Sequence, residues 1–393
     1  MSTISLGSHA PTPEHNYKSS DPAIPATLKF LADLAGVRFN GIEPWDIQVT
    51  NPRVYRRILI EGSLGFGEAY MDGWWECDRL DQLFNRLLTV DTDIHLDSKM
   101  PLRSLGRALR HALFNLQSIQ RAFHVGEQHY DIGNDVFETM LDPTMSYSCG
   151  YWQKANTLEE AQRDKLDMVC RKLELRPGER VLDIGCGWGS FAQYAAMHYG
   201  VEVLGITISK EQQKLASNRC AGLPVTIELM DYRTLAGQYD KIVSIGMFEH
   251  VGRKNYVAFF SIIDRLLKEH GLFLLHTIGN HVKSLKLDEW MDKYVFPNGL
   301  LPSAAEIAES VEGRFLIDDW HSFGPDYDRT LMAWWENFEQ GWPNLVPKYS
   351  SRFYRMWKYY LLSCAGFFRS RQGQLWQLVL SKRQRSAGYR SVR

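Results

Sequence analysis

Apolar positions along the chain change their period several times, and those changes divide it. Between residues 180 and 277, short apolar-rich runs (180–184, 201–207, 225–230, 240–246 and 271–277) alternate with stretches of helical spacing at 188–199, after Ser209 and at 256–267. A run apolar at every position is buried on both faces, so the alternation predicts parallel βαβ units with helices covering both sides of one sheet. Candidates at 315–318 and 375–381 bring the sheet to seven strands. Thr157-x-x-Glu160 has capping-box spacing and opens a helix running to about residue 173, and Ser209-x-x-Gln212 caps the helix after the second strand. The fold class expected is α/β: a Rossmann-like, mostly parallel seven-stranded sheet with helical insertions.

The remainder of the chain follows other patterns. Residues 1–24 are polar and Pro-rich, which predicts disorder. Leu28, Leu31 and Leu34 have helical spacing over 26–37, and 40–90 mix helices with the run Glu61-Gly-Ser-Leu-Gly-Phe-Gly67. Those glycines follow a helical pattern rather than a strand, so packing or a turn is expected of them and not a phosphate cradle. Residues 91–101 read as a linker. From 102 to 124 there is no acid, while Arg103, Arg107, Arg110, His111 and Arg121 lie among leucines. A basic amphipathic helix of this kind lies on an anionic membrane surface, or it is a solvated face between domains. Helical insertions at 279–313 and 326–373 are rich in Trp, Tyr and Phe. They follow strands whose carboxyl ends carry the ligand site in open α/β sheets, so they either roof an apolar site or pack an oversized domain. The division expected is 1–24 disordered, 25–121 a smaller, mainly helical N-terminal domain, and 122–393 the catalytic domain.

Composition narrows the function. The net charge of −1 gives no global field for nucleic acid, and 45% hydrophobic with 23% charged residues is ordinary for a soluble globular protein. Six scattered cysteines form no CxxC pair, so neither a metal centre nor a disulfide framework is expected and a reducing cytosol fits. The N-terminus lacks the apolar core of a signal peptide, and no apolar run reaches the about 18 residues that span a bilayer. A cytoplasmic protein able to touch a membrane surface is the expectation.

The stretch Val181-Leu-Asp-Ile-Gly-Cys-Gly-Trp-Gly-Ser190 carries the first chemistry. Strand, alternating glycines and helix make a nucleotide-binding turn, because glycine accepts positive φ and lets a ligand approach the backbone. The spacing is not the G-x-G-x-x-G of dinucleotide sites. It resembles the first motif of the S-adenosylmethionine (SAM)-dependent methyltransferases. The second strand ends Gly205-Ile-Thr-Ile-Ser209, without the acid that holds a ribose, which speaks against a dehydrogenase. Thr207 and Gln212 offer neutral hydrogen bonds there, and Asp231-Tyr232 follows the third strand within reach of an adenine. Capping and turn roles compete for each.

Further motifs occur in order: Glu127-Gln-His-Tyr-Asp-Ile-Gly-Asn134, Met145-Ser-Tyr-Ser-Cys149, Phe248-Glu-His-Val-Gly252, Leu275-His-Thr-Ile-Gly279 and Asp326-Tyr-Asp328. With the glycine turn they resemble the bacterial cyclopropane-fatty-acyl-phospholipid synthases over nearly the whole chain after residue 25, and the mycolic acid cyclopropane synthases over its C-terminal part. The run 62–83 matches the phospholipid-acting branch, which carries an extra N-terminal domain.

The resemblance implies a reaction in which the SAM methyl passes to the double bond of an unsaturated acyl chain in a membrane phospholipid. A base then removes a proton so that the ring closes. It implies bicarbonate as that base, held by Cys149, Glu249, His276, Tyr327 and the backbone of Ile278. For SAM it implies Tyr147, Ser148, Asp183, Gly185, Cys186, Gly187, Gly189, Thr207, Gln212, Asp231 and Tyr232. Cys364 is flagged in the family as an active-site candidate, although the chemistry needs no covalent cysteine. Read alone, Glu249 is a polar residue at a strand end, His276 a core histidine and Cys149 a small inert hydrophobe. The resemblance further implies a homodimer at the inner face of the cell membrane. Competing readings are a methyltransferase that leaves a methyl branch, an enzyme methylating another lipid, and a SAM-binding scaffold without turnover.

Overall fold

The computed structural model describes residues 23–90, 133–284, 286–385 and 388–393. The expected disorder of 1–24 falls outside them except for the last two residues, as do the linker, the basic stretch 103–121 and all but the end of the 127–134 motif. The first described segment holds α1 (Ala26–Leu34), β1 (Gln48–Val49), α2 (Arg53–Met71), β2 (Trp75–Glu76) and α3 (Leu80–Thr89). The glycine run lies inside α2, where Gly62 (φ 59°, ψ −134°) kinks the helix. Gly67 meets the indole of Trp290 so closely that a Cβ there would stand 2.4 Å from its Cδ1. The run therefore serves packing.

The second part begins with α4 (Asn134–Met140) and α5 (Leu158–Lys172). Thr157 and Glu160 form the expected reciprocal capping box on α5. Then follow β3 (Arg180–Ile184), α6 (Ser190–Tyr199), β4 (Glu202–Thr207), α7 (Lys210–Arg219), β5 (Val225–Leu229), β6 (Tyr239–Ile245), α8 (Tyr256–Leu266) and β7 (Leu267–Asn280). The first insertion contains α9 (Glu289–Tyr294) and α10 (Ala304–Val311) and leads to β8 (Phe315–Ser322). The second is the pair α11 (Pro325–Leu345) and α12 (Ser351–Arg369), and β9 (Gly373–Lys382) ends the sheet.

Seven strands run in the order β5-β4-β3-β6-β7-β9-β8. The first five are parallel, and β9 is antiparallel to both β7 and β8. Placing β9 inside the sheet explains why its sequence is an almost unbroken apolar run. The ligand-bearing end is the carboxyl edge of β3, β4 and β6 beside the reversal between β3 and β6.

Most insertion aromatics are core. Trp290, Trp334, Phe338 and Trp357 are fully buried in one hydrophobic cluster that also contains Leu28, Val54, Tyr70, Trp75 and Leu83. Truncating any of these large side chains to Ala is worth about 3–5 kcal/mol. Residues 26–83 thus share a continuous core with α9 and α12. Arg355 of α12 ties the two segments by donating to the carbonyls of Tyr70 and Trp75 and to Glu76 Oε1 at 2.7 Å.

Candidate active site

The glycine turn is built by the sheet beneath it. The amides of Gly185 and Cys186 both donate to the Ile206 carbonyl at 3.0 Å, which pins the turn to the end of β4. Gly189 is left-handed at the N-cap, so α6 starts at Ser190 and not at the expected 188. Gly187 (φ +56°) has open space where a Cβ would project. Gly187 is also one of the residues lining a cavity, with Tyr147, Ser148, Asp183, the rest of the turn from Gly185 to Trp188, Thr207, Gln212, Asp231 and Tyr232.

Nearly all the expected SAM residues therefore face one cavity; Gly189 stands behind it as the helix cap. Their bonding is more varied than the sequence implies. Thr207 Oγ1 donates to Gln212 Oε1 at 2.7 Å, so these two order each other. The Asp231 carboxylate is taken up by Arg233, whose Nε and Nη2 donate to Oδ1 and Oδ2 at 2.8 and 2.6 Å. Asp183 is buried with Oδ2 unpartnered among the described residues, and burial pushes its carboxyl up to about 7 against the opposing pull of Lys165.

The sequence reading missed Lys165. It is 1% exposed, lines the cavity and donates from Nζ to Ser148 Oγ at 3.0 Å. Desolvation brings its ammonium down to about 8, partly offset by the nearby carboxyls of Asp142 and Asp183. The signal was present: Gln162, Lys165 and Lys172 sit on the buried stripe of α5, where a polar residue is retained only with a partner. His250, Pro297 and Asn298 also line the cavity and were not foreseen.

The expected catalytic residues form a second group. Glu249 lies on a 3-10 turn after β6, its Oε1 accepting from the Ile278 amide at 2.7 Å, while Oε2 is buried with no hydrogen-bond partner among the described residues. Burial pushes this carboxyl up to about 7, with the hydrogen bonds pulling the other way. His276 is two residues before Ile278 on β7, so their side chains share a face of the sheet. Its Nδ1 meets Gln377 Nε2 at 3.1 Å, its Nε2 has no partner among the described residues, and its ring stands edge-on to Phe323. Burial, Lys165 and Lys172 all hold the imidazole neutral.

Tyr327, in the first turn of α11, stacks on Phe368 at 4.5 Å. Burial raises its hydroxyl well above the ordinary range, and Cys149, Tyr147, Glu249 and Cys364 add to that shift, so these groups share its surroundings. Cys149 is fully buried, its Sγ near the Gly150 carbonyl (3.1 Å) and Thr330 Oγ1 (3.7 Å), and burial keeps it a thiol. Cys364 is also a thiol, pushed up to about 12 by burial. Aromatic rings join the two groups: the Tyr147 hydroxyl meets that of Tyr360 at 2.6 Å, and its ring lies 5.2 Å from Trp334. Tyr360 in turn meets Phe296 edge-on at 5.7 Å.

A cavity of this kind at the carboxyl edge of a Rossmann-like sheet, its glycine turn unaccompanied by a ribose acid, defines the class: a SAM-dependent methyltransferase. The model of the family described as mycolic acid cyclopropane synthetase matches residues 117–378. The chain is 56% identical over 354 residues, 90% of its length and 92% of the relative's, to the cyclopropane-fatty-acyl-phospholipid synthase of Escherichia coli strain K12. It is 33% identical over 345 residues, 83% of its length and 80% of the relative's, to the tuberculostearic acid methyltransferase UfaA1 of Mycobacterium tuberculosis. The crystal structure of mycolic acid cyclopropane synthase CmaA1 complexed with SAH and CTAB superposes with a TM-score of 0.62 at 34% identity, covering 66% of this chain and 98% of that one. The chain belongs to the mycolic acid cyclopropane synthetase family.

Proposed function

We propose that this enzyme converts the cis double bond of unsaturated acyl chains in membrane phospholipids into a cyclopropane ring, with SAM as methyl donor. The observation that carries the reading is the pairing of two sites: a ligand cavity with a glycine wall, and beside it Glu249 and His276 holding unpartnered polar atoms in an otherwise apolar, aromatic surround. SAM fits the first, since bare glycine backbone lines it and Lys165 is a buried cation there for the one anionic group the donor carries. Bound there, it supplies an electrophilic methyl group.

An alkene is a weak nucleophile, so donor and acyl chain must be held close and aligned. The aromatic walls exclude water, which would quench a carbocation, and their faces attract a cation. Tyr147, Tyr360, Trp334 and Phe296 are the rings in place for this. Bicarbonate fits the second site and there would supply the base for ring closure. Lys165 and Lys172 lend the site the positive field an anion needs. Glu249 Oε2 would accept from its hydroxyl, and His276 and Tyr327 would donate to it. The amide of Ile278 is occupied by Glu249, so it acts by orienting the carboxylate rather than by holding the anion itself.

Cys149 contributes a neutral thiol, and Cys364 lines the acyl side without a covalent role. Residues 25–121 serve lipid binding and assembly, with the basic stretch 103–121 meeting the anionic inner face of the cell membrane and the chain working as a homodimer. Among the described residues no helix is long and apolar enough to cross a membrane.

Labelled SAM incubated with unsaturated phospholipid vesicles tests the reading. The label should enter the acyl chain as a ring CH₂, and a label in the head group would refute it. UfaA1 favours a second reading in which the cation ends as a methyl branch; the same products separate the two. Exchanging Arg103, Arg107, Arg110 and Arg121 for Gln should weaken flotation with anionic vesicles, and unchanged flotation would remove the membrane role.

A further inference from the structure

We propose that Gln377 is a positioning residue for this reaction: its amide donates to Nδ1 of His276 and thereby fixes the imidazole proton on Nε2. The inference rests on His276 being a holder of the anionic base, and it deepens that reading.

The sheet register sets up the contact. β7 and β9 are antiparallel, and His276 stands directly opposite Gln377. Opposed side chains on one face of an antiparallel pair lie within direct reach. Both residues are buried, and Gln377 Nε2 is 3.1 Å from His276 Nδ1. An amide nitrogen only donates, so Nδ1 accepts, and a neutral imidazole then carries its proton on Nε2. Which ring nitrogen is protonated follows from the bond the other one makes. The ring is neutral because it is buried and because Lys165 and Lys172 of α5 and His321 of β8 all disfavour a further positive charge.

The consequence is directional. Nε2–H is a buried donor with no acceptor among the described residues. It is held at a fixed angle by Gln377 on one side and by the edge-on ring of Phe323 on another. A donor so fixed binds an acceptor without reorganisation, which is what a small anion beside the buried Glu249 carboxyl requires. If the amide were turned over, its oxygen would draw the proton to Nδ1, and Nε2 would present a lone pair that repels an anion. Gln377 therefore chooses between a site that holds the base and one that rejects it. The sequence signal is that Gln377 is a polar residue inside the apolar run of β9, a position that retains an amide only with a partner.

Gln377→Glu in the full chain is the test, because the carboxylate only accepts and pulls the proton to Nδ1. Nitrogen NMR of ring-labelled protein should show His276 protonated at Nε2 in the wild type and at Nδ1 in Gln377→Glu. Turnover on unsaturated phospholipid should fall about tenfold or more while SAM affinity stays within about threefold, the split expected of a residue acting after the cofactor binds. Gln377→Met, which removes the donor without imposing the other tautomer, should fall between the two. SAM binding shows that each variant is folded. A wild-type ring protonated at Nδ1, or a Gln377→Glu variant with unchanged tautomer or unchanged turnover, overturns the proposal. The NMR readout uses no substrate, so a product other than a cyclopropane would refute the proposed function while leaving the tautomer result intact.

Discussion

The amide of Ile278 donates to one oxygen of Glu249 at 2.7 Å, and the other is buried with no partner among the described residues. A buried carboxylate held at one end in this way is oriented, and its remaining oxygen is directed at whatever enters the site. Glu249→Gln keeps the acceptor for Ile278 and removes the charge. Turnover should fall about a hundredfold or more, the scale of a lost acid–base contribution, with SAM affinity nearly unchanged. Parallel calorimetric titration and rate measurement decide it, and an equal loss of both would remove Glu249 from the chemistry.

The same substitution has a signature in stability. The folded carboxyl titrates near 7 against an ordinary value of 4.5, so between these pH values the folded state binds more protons than the unfolded one. Stability is then lost as pH rises through that window and stays lower above it. Glu249→Gln should be more stable than wild type by roughly 1–3 kcal/mol at pH 8 and nearly equal to it at pH 4.5. Urea unfolding at the two pH values measures the difference.

Lys165 is the buried cation of the cavity proposed for SAM, and it holds the Asp183 carboxyl down against burial. Lys165→Met should weaken SAM binding about tenfold, equivalent to about 1.4 kcal/mol. The pH midpoint of binding should move upward as Asp183 becomes harder to ionise. Folding should not suffer at pH 7, because the folded ammonium titrates near 8, below its ordinary 10.5, and its burial is costly at every pH below 8. Titration of SAM across pH separates this from a general loss of structure.

Gly187→Ala tests the wall of the cavity. At φ +56° an alanine costs about 1–2 kcal/mol, and its Cβ enters the space the ligand needs. A SAM affinity lowered by more than tenfold with only a modest fall in melting temperature is expected. An unchanged affinity would place the donor elsewhere.

Most of this fold was legible because each strand between 180 and 277 has an apolar centre and several of the helices between them carry their own caps. Thr157 with Glu160 and Ser209 with Gln212 mark helix starts to the residue. The helix after the glycine turn starts later than its pattern suggests because Gly189 is left-handed. The cavity residues were legible from motif order. For Lys165 and Gln377 only a polar residue in a buried stretch was legible; that they meet Ser148 and His276, distant in sequence, is set by the packed fold. Nor did spacing show that Arg233 would occupy the Asp231 carboxylate. The insertion aromatics illustrate the same limit, since only the packed fold shows that Trp290 and Trp357 are fully buried while Phe296 is partly buried at the edge of the same cluster.

The fate of the transferred methyl group tests the central claim most directly. With SAM carrying a CD₃ group and vesicles of a mono-unsaturated phospholipid, ring closure removes one deuteron, so the saturated acyl product should gain a CD₂ unit as a cyclopropane. Mass spectrometry of the released fatty acids reads the outcome. A product that keeps all three deuterons as a methyl branch would contradict the account.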